Sequence, residues 1–283
     1  MTKRKKKIGK LRNLSKASPA QIAEFFAGEV ILLSGEAATK FDGDVVSTGI
    51  KSLNRALGIG GVPRGRIVEI FGPESAGKTS LALKIVAQIQ KEGGKAAFID
   101  AEHALNLKYA REIGVDTDNL MINQPDSGEA ALMLLHKFLK TRAVDVVVID
   151  SVAALTPLRE QDKDVEGSTM GMQAQMMSKT LRIINPRVKK SNTLVIFINQ
   201  TRNKIGVMWG SPITTSGGNA LKFYASIRMQ IGVKGQYKKK GKMCGIDSKV
   251  RIVKNKLAVP FKTAMIRLIY GKGWCSIKGG SDD

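Results

Sequence analysis

Gly72-Pro73-Glu74-Ser75-Ala76-Gly77-Lys78-Thr79 is the stretch on which the reading of this chain turns. It fits G-x-x-x-x-G-K-[ST], a loop that wraps nucleotide phosphates. Its glycines permit tight torsions and let backbone N–H groups approach phosphate oxygens. In such a loop Lys78 reaches the β- and γ-phosphates and the Thr79 hydroxyl binds Mg²⁺. Ser80 is counted with them as a nucleotide contact. The flanks agree. Arg66–Phe71 reads as a buried strand, and Ser80 to Lys91 reads as a helix with Leu81, Ile85 and Ile89 on one face and Gly93 beyond its end. A strand, a loop and then a helix N-terminus is an anion-binding arrangement. A nucleotide with Mg²⁺ is the expected ligand.

The chain is 283 residues long and 43% hydrophobic, enough for one large domain or one domain with extensions. Its 46 basic and 24 acidic residues leave a net charge of +22, which points to a polyanionic partner. Apolar runs such as Val146–Ile149 are strand-sized, too short to cross a membrane. The basic start Lys3-Arg4-Lys5-Lys6-Lys7 has no apolar signal core behind it, so a cytoplasmic location is expected. Cys244 and Cys275 have neither metal spacing nor a disulfide framework.

Residues 1–17 carry eight Lys or Arg and no acid, and read as a basic flexible tail. The tail is either a phosphate contact or simply solvated. Residues 18–44 read as a helix-strand segment. Ser18, Pro19 and Gln21 make a capping box for a helix over Ala20–Phe26, and Val30–Leu33 is a short strand. So small a unit buries little alone and must dock on its own core or on a neighbouring subunit. From Val45 the pattern becomes α/β. Strands are expected at Ile67–Phe71, Ala96–Ile99, Val146–Ile149 and Leu194–Ile198, with helices at Glu129–Lys140 and Met170–Ile184. This predicts an α/β core from Val45 onward, built on a mostly parallel central sheet flanked by helices. Residues 274–283 are left as a short C-terminal tail.

Chemistry in such sheets sits at the C-terminal strand ends. Asp150 ends an apolar strand, where an acid can serve Mg²⁺. Glu102, after Phe98-Ile99-Asp100, is the candidate to orient and deprotonate an attacking water, or else it caps the next helix. Asn199-Gln200 ends a fourth strand, as a γ-phosphate sensor or a turn. The stretches Leu158–Gly171 and Thr201–Gly218 read as long functional or disordered loops. The second mixes cations, apolar residues and Trp209, as a grip on single-stranded nucleic acid would. Lys234–Lys262 holds ten basic residues against the single acid Asp247, with Lys238-Lys239-Lys240 at a hairpin tip. It is either a solvated face or a phosphate-binding edge.

Together with Ser47-Thr48-Gly49, Gly65–Ile70, Phe98–Leu105, Asp150–Pro157, Ile196–Gln200, Gly217–Ser226 and Val253–Lys256, these residues closely resemble the bacterial RecA-type recombinases over roughly Val45 to Gly273. The resemblance implies a RecA-like P-loop ATPase core over 45–273, which makes the expected nucleotide ATP. It also implies a DNA-dependent ATPase that forms filaments on single-stranded DNA and promotes homologous pairing and strand exchange with double-stranded DNA. Glu102, with Lys78 and Gln200, would be catalytic. Tyr109 would stack on adenine, and Lys254 and Lys256 would reach a neighbour's ATP. Met170, Gly171, Ser178, Arg182, Arg202, Asn203, Lys204, Ile205, Trp209, Gly217, Gly218 and Asn219 would meet DNA. Phe223 and Lys222 would pack on the next subunit of a helical homo-oligomer, as would residues 18–35.

The chain also departs from the family. Family members usually continue into a C-terminal domain with an acidic tail, whereas this sequence ends at Asp283 and reads as a short form. Asn106 stands where Asp is typical, Gln175 where Arg is common, and Ile213 where Glu is common. The basic tail and Lys238–Lys242 are expected to take over part of the missing domain's duplex binding. Three other readings remain: an accessory that uses ATP only as a switch, a hexameric helicase-like motor, and an ATPase with no nucleic-acid role.

Overall fold

The computed structural model describes residues 18, 43–161, 171–203 and 213–277, apart from the side chains at 161, 203 and 213. The basic tail, the helix and strand expected within 19–42, and the site candidates Met170, Lys204, Ile205 and Trp209 lie outside the described residues.

In chain order the elements are β1 (Val45–Val46), α1 (Lys51–Leu57), β2 (Val62–Pro63), β3 (Ile67–Gly72), α2 (Lys78–Lys91) and β4 (Ala96–Asp100). Next come α3 (Leu107–Glu112), β5 (Leu120–Asn123), α4 (Gly128–Thr141), β6 (Val146–Asp150), a 3₁₀ turn (Val152–Ala154), α5 (Leu158–Gln161) and α6 (Met172–Ser191). The last are β7 (Leu194–Asn203), β8 (Ile213–Thr215), α7 (Ala220–Tyr224), β9 (Ile227–Lys239), β10 (Lys242–Asn255), β11 (Thr263–Ile269) and β12 (Gly273–Ser276). All belong to the unit that begins at Gly43.

Among the described residues one sheet runs in the order β12-β11-β10-β9-β3-β7-β6-β4-β5, with β8 pairing β7 off this path. From β9 to β5 neighbouring strands are parallel; β9 to β12 form an antiparallel meander. The parallel strands are near-continuous apolar runs because both faces are covered. Val68, Ile70, Phe98, Val146 and Val148 pack with Leu81, Ile85 and Ile89 of α2. The alternate residues Ile67, Ala97, Ile99, Val147 and Ile149 pack with Leu132 and Leu135 of α4 and Leu181 and Ile184 of α6. Alternation along each strand thus builds two cores, one per face.

Several boundaries differ from the sequence reading: β7 runs past Ile198 to Asn203, and α5 and β8 occupy parts of the two stretches read as loops. Helix α2 starts at Lys78, not Ser80, because Gly77 in the left-handed region (φ 85°) turns the loop directly into the helix. Helix α6 runs past Ile184 to Ser191 with Pro186 inside it. Pro186 and Arg182, whose carbonyl loses its helical donor, both lie on the exposed face, where water can replace that bond. Finally, residues 274–276 are not tail. They complete β12 on β11, and Trp274 is 2% exposed in the core. The meander went unforecast beyond its tip. Lys240 and Gly241 form that turn, both at positive φ, the geometry that matches strand twist in tight hairpins.

Candidate nucleotide site and its neighbours

Strand register assembles the site before any side chain is considered. Gly72 pairs with Gln200 across β3 and β7, and Asp100 pairs with Asp150 across β4 and β6. The loop therefore leaves the sheet beside Gln200, and two carboxylates share one sheet edge. Their jobs differ. Asp100 is buried and accepts hydrogen bonds from the backbone N–H groups of Ala104 and Leu105 and from Gln124 Nε2. It shapes the turn after β4. The N–H groups of Ala101 and Glu102 in that turn donate to the Asp150 carbonyl, so Glu102 is held over the end of β6.

Asp150 Oδ2 accepts from Thr79 Oγ1 at 2.6 Å. Burial pushes the Asp150 carboxyl up to about 6; Thr79 opposes that shift, Glu102 and Asp100 add to it, and Lys78 opposes it. Lys78 Nζ donates to the Pro73 carbonyl at 2.7 Å across the loop, and burial lowers its pKa against the pull of Asp150, Glu102 and Glu74. Glu102 Oε1 accepts from both Ser151 Oγ and Gln200 Nε2, the latter at 3.1 Å. A cavity of about 430 Å³ is lined by Glu74, Ser75, Gly77, Lys78, Thr79, Ser80, Glu102, Asp150, Gln200 and Leu268. Gly72, Pro73 and Ala76 complete the loop, with Ala76 buried in the core. Thr79 and Asp150 supply hard oxygen donors of the kind Mg²⁺ takes alongside phosphate and water. Tyr109 on α3 is half-buried, and its hydroxyl donates to Ser80 Oγ at 2.9 Å. Asn106 caps α3 by accepting from Tyr109 N–H, a task Asp performs equally well.

Lys254 and Lys256 do not line this cavity. Lys254 Nζ donates to the carbonyls of Lys222 and Phe223, and Lys256 Nζ to that of Phe223, at the end of α7. Phe223 is 73% exposed, while Lys222 Nζ turns to Thr214 and Asn219. Burial lowers Lys254 to about 8, helped by Lys256 and Arg228 and opposed by Glu69.

Of the DNA candidates, Gly171, Arg202, Gly217 and Gly218 line one cavity of about 300 Å³. Ser178 and Arg182 lie further along α6 and line a separate groove against α4 that also holds Gln175. Asn219 sits at the start of α7, and Asn203 ends β7. Gly217 and Gly218 have φ near +80°, and a Cβ would meet Val152 at 2.6 Å or Ala174 at 2.7 Å. Arg202 Nε donates to Ser216 Oγ.

Sequence reading missed three supports. Asn199 is fully buried; its amide donates to Glu69 Oε1 and to the Ser216 carbonyl, so only Gln200 of that pair faces the site. Glu69 in turn pairs with Arg228, which lies over Phe71 at 4.6 Å. Trp274 Nε1 donates to the Gly77 carbonyl at 3.2 Å beneath the loop. An acid inside the apolar run of β3 was the one visible signal, since a buried charge needs a partner.

Comparison with known proteins agrees over most of the chain. The family model for the RecA N-terminal domain matches residues 13–275. The RecA protein of Methylococcus capsulatus is 53% identical over 257 residues, covering 91% of this chain and 74% of that protein. The RecA protein of Francisella philomiragia is 54% identical over 254 residues, covering 90% and 71%. The crystal structure of the RadB recombinase matches with a TM-score of 0.62 at 20% identity, covering 82% of this chain and all of that one, which shows a common fold.

Proposed function

This chain belongs to the RecA family, and on that premise we propose that it is a DNA-dependent ATPase that assembles on single-stranded DNA and promotes homologous pairing and strand exchange in recombination and repair. The observation that carries the chemistry is the convergence of Lys78, Thr79, Asp150, Glu102 and Gln200 on one cavity. The loop's N–H groups and Lys78 hold the phosphates, and Thr79 and Asp150 would hold Mg²⁺, which would supply positive charge against the phosphate oxygens. Glu102 orients a water and takes its proton as the oxygen attacks the γ-phosphorus and the bond to the β–γ bridging oxygen breaks, releasing ADP and phosphate. Gln200 exchanges Glu102 for a γ-phosphate oxygen. Tyr109 stacks on the adenine.

Lys254, Lys256, Lys222 and Phe223 act across the contact to the next copy, the two distal lysines meeting its ATP. Gly171, Ser178, Arg182, Arg202, Asn203, Gly217, Gly218 and Asn219 face DNA, together with Met170, Lys204, Ile205 and Trp209. Residues 18–44 serve polymerisation. A cation from one copy and a loop from the next would make ATP binding and assembly mutually dependent.

The test is ATP hydrolysis with and without single-stranded DNA, beside Lys78→Ala. The expected result is DNA-stimulated turnover that falls by about 10²-fold or more in the variant. Turnover indifferent to DNA would overturn the reading in favour of an ATP-dependent switch.

A further inference from the structure

Gln173, in the first turn of α6, belongs to none of these roles, yet its side chain makes four hydrogen bonds beside the described DNA candidates. Its Nε2 donates to the carbonyls of Val152 at 2.9 Å, Leu155 at 3.1 Å and Ala153 at 3.3 Å. Its Oε1 accepts the N–H of Gly217 at 3.1 Å. One amide therefore joins three stretches of chain: the 3₁₀ turn after β6, the start of α6, and the glycine pair between β8 and α7.

The two ends of this tie matter. The turn it holds begins directly after Ser151, whose hydroxyl holds Glu102. The glycine it holds lines the cavity shared by Gly171, Arg202 and Gly218, and Gln173 itself forms part of the same wall. Packing runs alongside the hydrogen bonds, because Gly217 has no room for a Cβ against Val152. A shift of Gly217 is thus passed to Val152 both by contact and through the amide, and from there to Ser151 and Glu102.

We propose that Gln173 is a positioning residue that couples occupancy of the Gly217–Gly218 cavity by single-stranded DNA to the placement of Glu102. The inference rests on the reading of Glu102 as the base and of that cavity as a DNA contact. The amide is suited to the task because it offers donors on one side and an acceptor on the other. No other residue type of that length does both without charge.

Two variants separate the halves of the tie. Gln173→Met keeps the volume and removes every hydrogen bond. Gln173→Glu keeps the acceptor for Gly217 and loses the donors to the three carbonyls. ATP turnover is measured with and without single-stranded DNA, together with KM for ATP and DNA affinity by fluorescence anisotropy. For both variants the DNA-free rate and KM should stay within about twofold of wild type, while DNA stimulation falls by about fivefold or more, the lower end of ordinary coupling between sites. Gln173→Glu, which places a carboxylate at the cavity wall, should bind DNA more weakly than Gln173→Met.

Equal stimulation in wild type and both variants would overturn the proposal and leave the proposed function standing. So would a fall of the DNA-free and DNA-stimulated rates by one common factor, the mark of a merely structural role. A wild-type ATPase that ignores DNA would overturn both.

Discussion

Lys254 shows how one side chain can be held between two partners. Its amine sits on the carbonyls at the end of α7, and burial brings its pKa from 10.5 to about 8, with Lys256 and Arg228 pressing the same way and buried Glu69 against. Between pH 8 and 10.5 the unfolded chain binds a proton that the folded chain does not. Folding stability from this group therefore rises with pH across that window, while the charge available to a phosphate falls. ATP-dependent assembly, followed by light scattering, should weaken between pH 7 and pH 9. Lys254→Arg should flatten the profile, because a guanidinium stays charged throughout. A flat wild-type profile would remove Lys254 from the assembly contact. Lys254 became a candidate through the resemblance of Val253–Lys256 to the family. Its pairing with α7 was not legible, because the carbonyls of Lys222 and Phe223 lie some thirty positions earlier in the chain.

The loop between β3 and α2 depends on an element that the sequence reading discarded. Strand β12 follows a tight turn and is four residues long. It still seats Trp274 beneath Gly77, where a Cβ on that glycine would lie 2.5 Å from the indole. Trp274→Ala should cost about 3–5 kcal/mol of folding stability by chemical denaturation, as large aromatic truncations in cores do. Trp274→Phe, which loses the hydrogen bond to Gly77 and the part of the ring packed against that glycine, should cost less, about 1–3 kcal/mol. Equal and negligible losses would mean that β12 does not support the loop. The same strand explains why the meander was hard to foresee. Its half-buried strands alternate apolar and basic residues, as Lys249, Val250, Arg251 and Ile252 do, and such a pattern reads equally as a solvated basic face.

The whole chain carries +22, and its charge is unevenly spread. Eight basic residues fall within the first 17 positions. The β9–β10 hairpin presents Lys238, Lys239, Lys240 and Lys242 around its tip. If the tail carries part of duplex binding, deleting residues 1–16 should reduce duplex affinity. It should also flatten the salt dependence, by about 0.9 in log–log slope for each phosphate the tail neutralises. Unchanged affinity and slope would assign duplex binding to the hairpin and the rest of the chain. Among the described residues no helix is long and apolar enough to cross a membrane.

The P-loop, the apolar strands and the acids at their ends were readable directly, because each is a local pattern. A loop that binds phosphate needs its glycines, lysine and threonine consecutively, and a strand buried on both faces needs an unbroken apolar run. Those patterns were enough for the α/β class and for the nucleotide chemistry proposed here. What needed the folded chain was every role set by register or by distant contact. Asp100 and Asp150 look alike at their strand ends, yet three donors make the first structural, while Thr79 turns the second toward the cavity. Asn199 and Gln200 are adjacent, and the pleat sends one into the Glu69–Arg228 network and the other to Glu102. Trp274 and Gln173 act on partners far away in sequence, and no local pattern marks a residue whose work is to hold a distant segment in place.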